Sequence, residues 1–167
     1  MIKRSASFVF NSDNLLLYKK IIAKYPKGKQ ASALLPLLDL AQRQNGGWIS
    51  GAAIDYLSGI LDIQPIRIYE VASFYTMFNL KPVGKYHVQV CRTTPCWLRG
   101  ADKISDKCTK LLNIECGETT PDGQFSFTEV ECLGACINAP VVQINDNYYE
   151  NLTPESFEKI IAKLSKE

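Results

Sequence analysis

Four of the chain's six cysteines fall in two short pairs. Cys91 and Cys96 close C-R-T-T-P-C, Cys132 and Cys136 close C-L-G-A-C, and residues 97–131 lie between them. The intervening stretch is too long and too patterned for a single local knuckle. If the pairs meet, the fold must bring the ends of two separate elements together. Four convergent thiolates then form a soft donor set suited to a metal centre.

Two metal chemistries suit that donor set. A [2Fe–2S] rhombus takes four thiolates, two for each iron. Accepting an electron makes such a site more negative, so backbone N–H groups and nearby cations govern its reduction. Arg92 is a candidate cation, or else an exposed loop charge. Glu129 and Glu131 would oppose reduction if close, or else form the solvent face of a strand. Zinc also accepts four cysteines and would brace the two loops without carrying electrons. A thiol–disulfide role is disfavoured because neither pair has C-x-x-C spacing. Buried free cysteines are the plain alternative, since cysteine packs as a small hydrophobe. Spacing alone does not separate iron–sulfur from zinc.

The remaining reactive groups are sparse. Cys108 falls in a helical pattern and Cys116 near a short strand, so both read as free thiols. His87 is the one histidine and alternates with apolar residues, which points to the surface or a local hydrogen bond rather than a metal. No Gly-rich phosphate loop and no serine–histidine–acid set is present, so local acid–base catalysis has little support. Tyr148 and Tyr149 read as packing or interface residues. An electron carrier needs none of these groups, because its chemistry belongs to the cofactor.

Composition bounds the rest. The chain has 167 residues, 46% hydrophobic content and a formal charge of +2, enough for a real core without staples. Lys3 and Arg4 begin a basic end, but no sustained basic stripe follows and nucleic-acid binding is not expected. No run approaches the roughly 18 apolar residues of a membrane span. The opening M-I-K-R-S-A-S-F-V-F lacks a full secretory core, so a reducing intracellular setting is expected, where close cysteines mean metal or thiol chemistry.

Two regions must position the pairs. The first is helical over roughly residues 11 to 80. Ser12 or Asp13 is expected to cap a helix with Leu15, Leu16, Ile22 and Ala23 on its apolar side. A second helix spans 30–44 around Pro36, in its first turn or at a kink. Ser50 caps a third bearing Ile54, Leu57, Ile60 and Leu61, and Pro65 starts a fourth bearing Ile66, Ile68 and Tyr69. The second region reads β-α-β-β-β-α. Tyr86, Val88 and Val90 alternate toward Cys91, a helix follows from about Arg99 to Leu112, and Ile114 begins a short strand. F-S-F-T-E-V-E ends at Cys132, Val141, Val142 and Ile144 turn at Asn145-Asp146-Asn147 into Tyr148-Tyr149, and Thr153-Pro154 starts the last helix. The order suits a small thioredoxin-like α/β domain but leaves strand order open.

At C-R-T-T-P-C, E-C-L-G-A-C-I-N-A-P and E-V-A-S-F-Y-T-M-F (Glu70 to Phe78), the chain resembles the 24 kDa thioredoxin-like [2Fe–2S] subunits of NADH:quinone oxidoreductase, respiratory complex I. The resemblance covers nearly the whole chain. It implies an α/β protein: an N-terminal helical bundle at residues 1–80, then a thioredoxin-like [2Fe–2S] ferredoxin domain at 81–167. It implies that Cys91, Cys96, Cys132 and Cys136 hold one [2Fe–2S] cluster. FMN and NADH are then expected on a partner that exchanges one electron with this chain, among other peripheral-arm subunits. The complete active site would not lie on this chain. The setting implied is the cytoplasmic side of a bacterial inner membrane, or the matrix side in an organelle. Related subunits serve NAD-linked hydrogenases and formate dehydrogenases. Phe74, Tyr75, Met77 and Phe78 would join the two regions, face the partner or simply fill a core.

Overall fold

The computed structural model describes residues 7–166, so Lys3 and Arg4 lie outside the described residues. The chain divides into two compact units, Met1–Pro82 and Val83–Glu167.

The first unit is helical: α1 (Ser12–Ile22), a 3₁₀ turn (Gln30–Ala33), α2 (Leu34–Gln44), α3 (Gly51–Leu61) and α4 (Pro65–Phe74). Asn11, not Ser12 or Asp13, caps α1, its side chain accepting from the Asn14 N–H at 2.8 Å. Ser12 is already the first helical residue. The inward side of α1 also differs from expectation. Leu15 and Leu16 are exposed, while Tyr18, Ile21 and Ile22 pack partly against the core. Three consecutive leucines cannot all share one face at 3.6 residues per turn, so neighbours in space decide which are covered.

Pro36 stands in the first turn of α2, where its missing N–H costs nothing. Ser50 caps α3, its hydroxyl oxygen accepting from the Ala53 N–H at 3.2 Å. Leu37, Leu38, Ile49, Leu57 and Ile68 fill the core of this unit. Ile66 and Tyr69 on α4 face out. After α4 the chain is pinned by Asn79, whose N–H donates to Gln42 Oε1 at 2.7 Å and whose carbonyl accepts from Ile49 at 2.7 Å. Phe78 is thereby buried, while Phe74, Tyr75 and Met77 are left exposed.

The second unit runs β1 (Tyr86–Cys91), α5 (Thr94–Leu98), α6 (Ala101–Leu112), β2 (Phe125–Val130), a 3₁₀ turn (Cys136–Asn138), β3 (Val142–Ile144), β4 (Asn147–Tyr149) and α7 (Pro154–Leu164). Its sheet order is β2-β1-β3-β4. β1 and β2 are parallel, with Cys91 opposite Val130, and the α5–α6 segment supplies the crossover that parallel strands require. β3 returns antiparallel to β1, and β4 to β3 through a tight turn with Asn145 at φ 53°. Asparagine tolerates that left-handed backbone.

One expectation is corrected here. Ile114 begins no strand; it is a buried loop residue of the α6–β2 connection, where Thr119 alone bridges to Ser126. The helix expected from about Arg99 to Leu112 is α6, and a further short helix, α5, not foreseen, precedes it and carries Cys96, with Gly100 between the two. Val88, Val90, Ile104, Cys108, Phe127, Val142, Phe157 and Ile161 form the second core.

Candidate metal centre

The parallel pairing of β1 and β2 sends both strands toward the same edge of the sheet. Cys91 is the last residue of β1, and Cys132 follows β2 by two residues. Cys96 comes off α5, directly after β1, and Cys136 opens the 3₁₀ turn directly after Gly134 and Ala135. Gly134 holds φ 84°, a conformation in which a side chain would be strained. Its N–H donates to Cys132 Sγ at 3.4 Å.

The sulfurs interact as two pairs that also sense each other. Cys132 Sγ and Cys136 Sγ lie 3.3 Å apart. Burial raises the Cys91 thiol, but hydrogen bonds from the Thr93 hydroxyl, the Thr93 and Leu133 N–H groups and the Cys96 thiol outweigh it and hold Cys91 below its usual range. Cys96 is pushed up to about 11 by burial, by its bond to Cys91, and by the charges of Cys91 and Cys136. Across the second pair, the Gly134 N–H and then the Cys136 thiol lower Cys132, while the bond to Cys132 raises Cys136. In each pair one thiol is thus shifted down and the other up. Loading a metal on all four releases protons.

Cys91 and Cys96 are buried beside Ala101, Ala139 and Val141, whereas Cys132 and Cys136 are exposed. Among the described residues, no group of three or more His, Cys, Asp or Glu side chains is arranged to hold a single metal ion. A two-iron cluster asks for two thiolates per iron, and the paired donor set with N–H groups aimed at its sulfurs fits one.

The charged neighbours follow the plainer reading: Arg92, Glu129 and Glu131 are all exposed. Arg92 and Glu129 form an ion pair, so the charge of Arg92 is largely met by that carboxylate. Glu131 is exposed beside Cys132. His87 is buried, not at the surface; its Nε2 lies 2.9 Å from Thr128 Oγ1 on the neighbouring strand. β1 is an interior strand, flanked by β2 and β3, so both of its edges are paired. Cys108 sits in the core, its thiol pushed up to about 12 by burial and then by the nearby Cys116. Cys116 is exposed and accepts the Glu129 N–H at 3.3 Å.

Two supporting residues carried no local signal. Thr93 lies outside any element expected from the sequence, and its Oγ1 lies 3.3 Å from Cys91 Sγ. Tyr148 lies on β4, and its hydroxyl donates to the Leu133 carbonyl inside C-L-G-A-C at 2.7 Å. Neither contact follows from periodicity, because each joins elements distant in sequence or departs from a default role.

These features coincide with a known family. The model of the thioredoxin-like [2Fe–2S] ferredoxins matches residues 18–165. The chain is 60% identical over 164 residues to the E-type subunit of NADH-quinone oxidoreductase from Rickettsia bellii, covering 98% of each chain. It is 58% identical over 167 residues to the corresponding protein of Rickettsia conorii, covering 100% of each. The chain belongs to the thioredoxin-like [2Fe–2S] ferredoxin family, the family of these E-type subunits. In fold it is similar to a chain of an NAD+-reducing [NiFe]-hydrogenase, with TM-score 0.69 and 23% identity over 78% of this chain and 23% of that one.

Proposed function

We propose that this chain is the iron–sulfur electron-transfer subunit of an NADH–quinone oxidoreductase, with Cys91, Cys96, Cys132 and Cys136 as the ligands of one [2Fe–2S] cluster. The observation that carries the reading is the parallel β1–β2 pair, which delivers both cysteine pairs to one sheet edge. When bound, such a cluster accepts and returns single electrons. The chain's own contribution is to hold four sulfurs at fixed spacing, exclude water around Cys91 and Cys96, and aim N–H groups of Thr93, Leu133 and Gly134 at sulfur.

The electron partner is a flavin held by another subunit. FMN and NADH belong to that subunit in this reading, together with the rest of a peripheral arm at the membrane surface. The near full-length likeness to the Rickettsia proteins supports this assembly over a hydrogenase, where the likeness is of fold. No described helix is long and apolar enough to cross a membrane. The likeness to the Rickettsia subunits supports a part of an enzyme with no complete active site on this chain. Phe74, Tyr75 and Met77 are exposed, with Phe74 at 75%, and supply apolar surface for docking.

The test is metal and sulfide analysis of anaerobically purified protein. Two irons and two acid-labile sulfides per chain are expected, with a rhombic S = 1/2 signal after one-electron reduction. A single zinc without sulfide would instead identify a braced interaction module. Cys96→Ala should abolish normal cluster retention, whereas Cys116→Ser should load fully; the reverse result refutes the ligand assignment.

A further inference from the structure

The Thr93 hydroxyl beside Cys91 has given up its local role. Thr93 occupies the position before α5, with φ −73° and ψ 164°, where a threonine side chain ordinarily accepts a backbone N–H of the first turn. It makes no such bond. Its Oγ1 instead lies 3.3 Å from Cys91 Sγ. The Thr93 backbone N–H also points to Cys91. The neighbouring Thr94 is exposed, so position rather than composition singles out Thr93.

Resting on the four-cysteine reading above, we propose that the Thr93 hydroxyl donates a hydrogen bond to the Cys91 sulfur and thereby tunes the reduction potential of the centre the four cysteines form. A metal-bound thiolate has lone pairs and no proton, so the hydroxyl must donate. A bond to a charged acceptor strengthens as that acceptor becomes more negative. Thr93 therefore favours the state with one more electron and raises the potential. This is a role in tuning, and removing the hydroxyl should leave the ligands in place.

The experiment is a redox titration of the purified chain with dithionite as electron donor, followed by the reduced-state EPR signal, for wild type, Thr93→Val and Thr93→Ser. Valine keeps the branched shape and loses the donor; serine keeps the donor. With two irons and two sulfides retained, Thr93→Val should lower the reduced-to-oxidised ratio at a fixed potential about tenfold, about 59 mV for one electron. Thr93→Ser should stay near wild type. If Thr93→Val loads incompletely, Thr93→Ala must show the same downward shift. A fully loaded Thr93→Val with an unchanged midpoint overturns the proposal and leaves the ligand assignment standing. Equal shifts in the valine and serine variants overturn it too. Wild-type protein without iron and sulfide overturns both readings.

Discussion

The Tyr148 hydroxyl donates to the Leu133 carbonyl at 2.7 Å, tying the edge strand β4 to the loop that carries Cys132 and Cys136. Leu133 in turn directs its N–H toward Cys91. One peptide neighbourhood thus receives a bond from the sheet edge and gives one to the opposite cysteine pair. The loop is exposed at both of its cysteines, so such ties decide how well it holds its shape.

Tyr148→Phe removes that tie while keeping the ring. The bond is worth about 1 kcal/mol by the usual range for a neutral hydrogen bond. Iron release to a chelator should accelerate about fivefold, with the thermal midpoint nearly unmoved. Release at the wild-type rate would show that the loop keeps its shape without Tyr148.

His87 should make stability pH-dependent. Burial lowers its pKa from the ordinary 6.5. As pH falls, the unfolded chain takes up this proton before the folded chain does, so acidification favours unfolding. The contribution of His87 is whole above about 6.5 and declines from there toward the lowered folded value. Melting curves between about pH 7.5 and about pH 5 should show His87→Gln losing less stability than wild type over that window. Parallel losses in the two proteins would assign the acid sensitivity to other groups.

Gly84 is held by contact rather than by backbone twist. A Cβ there would stand 2.7 Å from the Phe125 carbonyl carbon and 2.9 Å from its nitrogen, closer than side chains tolerate. The Gly84 N–H also donates to the buried Ser126 Oγ at 2.6 Å. Gly84→Ala should therefore displace the start of β2 and cost roughly 1–3 kcal/mol, the range for forcing extra atoms into a packed site. Urea unfolding would report it as a lower midpoint at unchanged slope. A wild-type midpoint would mean that the backbone gives way freely at this point.

Much of the architecture was legible because its signals are local. Alternation marked β1 and β2, Ser50 and Thr153 announced helix starts, and Asn145-Asp146 marked the hairpin. Where several local solutions compete, the reading slipped. Asn11 rather than Ser12 caps α1, Gly100 separates α5 from α6, and Ile114 is buried without joining the sheet. Single residues there answer to what packs over them, which periodicity does not contain.

By itself the amino-acid sequence set out the candidate donors: four cysteines in two short pairs, each after a strand, on a chain with little else for chemistry. Tertiary structure alone decided that β1 and β2 run parallel, which puts Cys91 and Cys132 at the same edge. It also decided that Arg92 is met by Glu129, that His87 is sealed between strands, and that Thr93 and Tyr148 serve the cysteine loops. Strand direction and contacts between distant elements depend on packing free energy summed over the whole unit. Ligand spacing is written residue by residue along the chain.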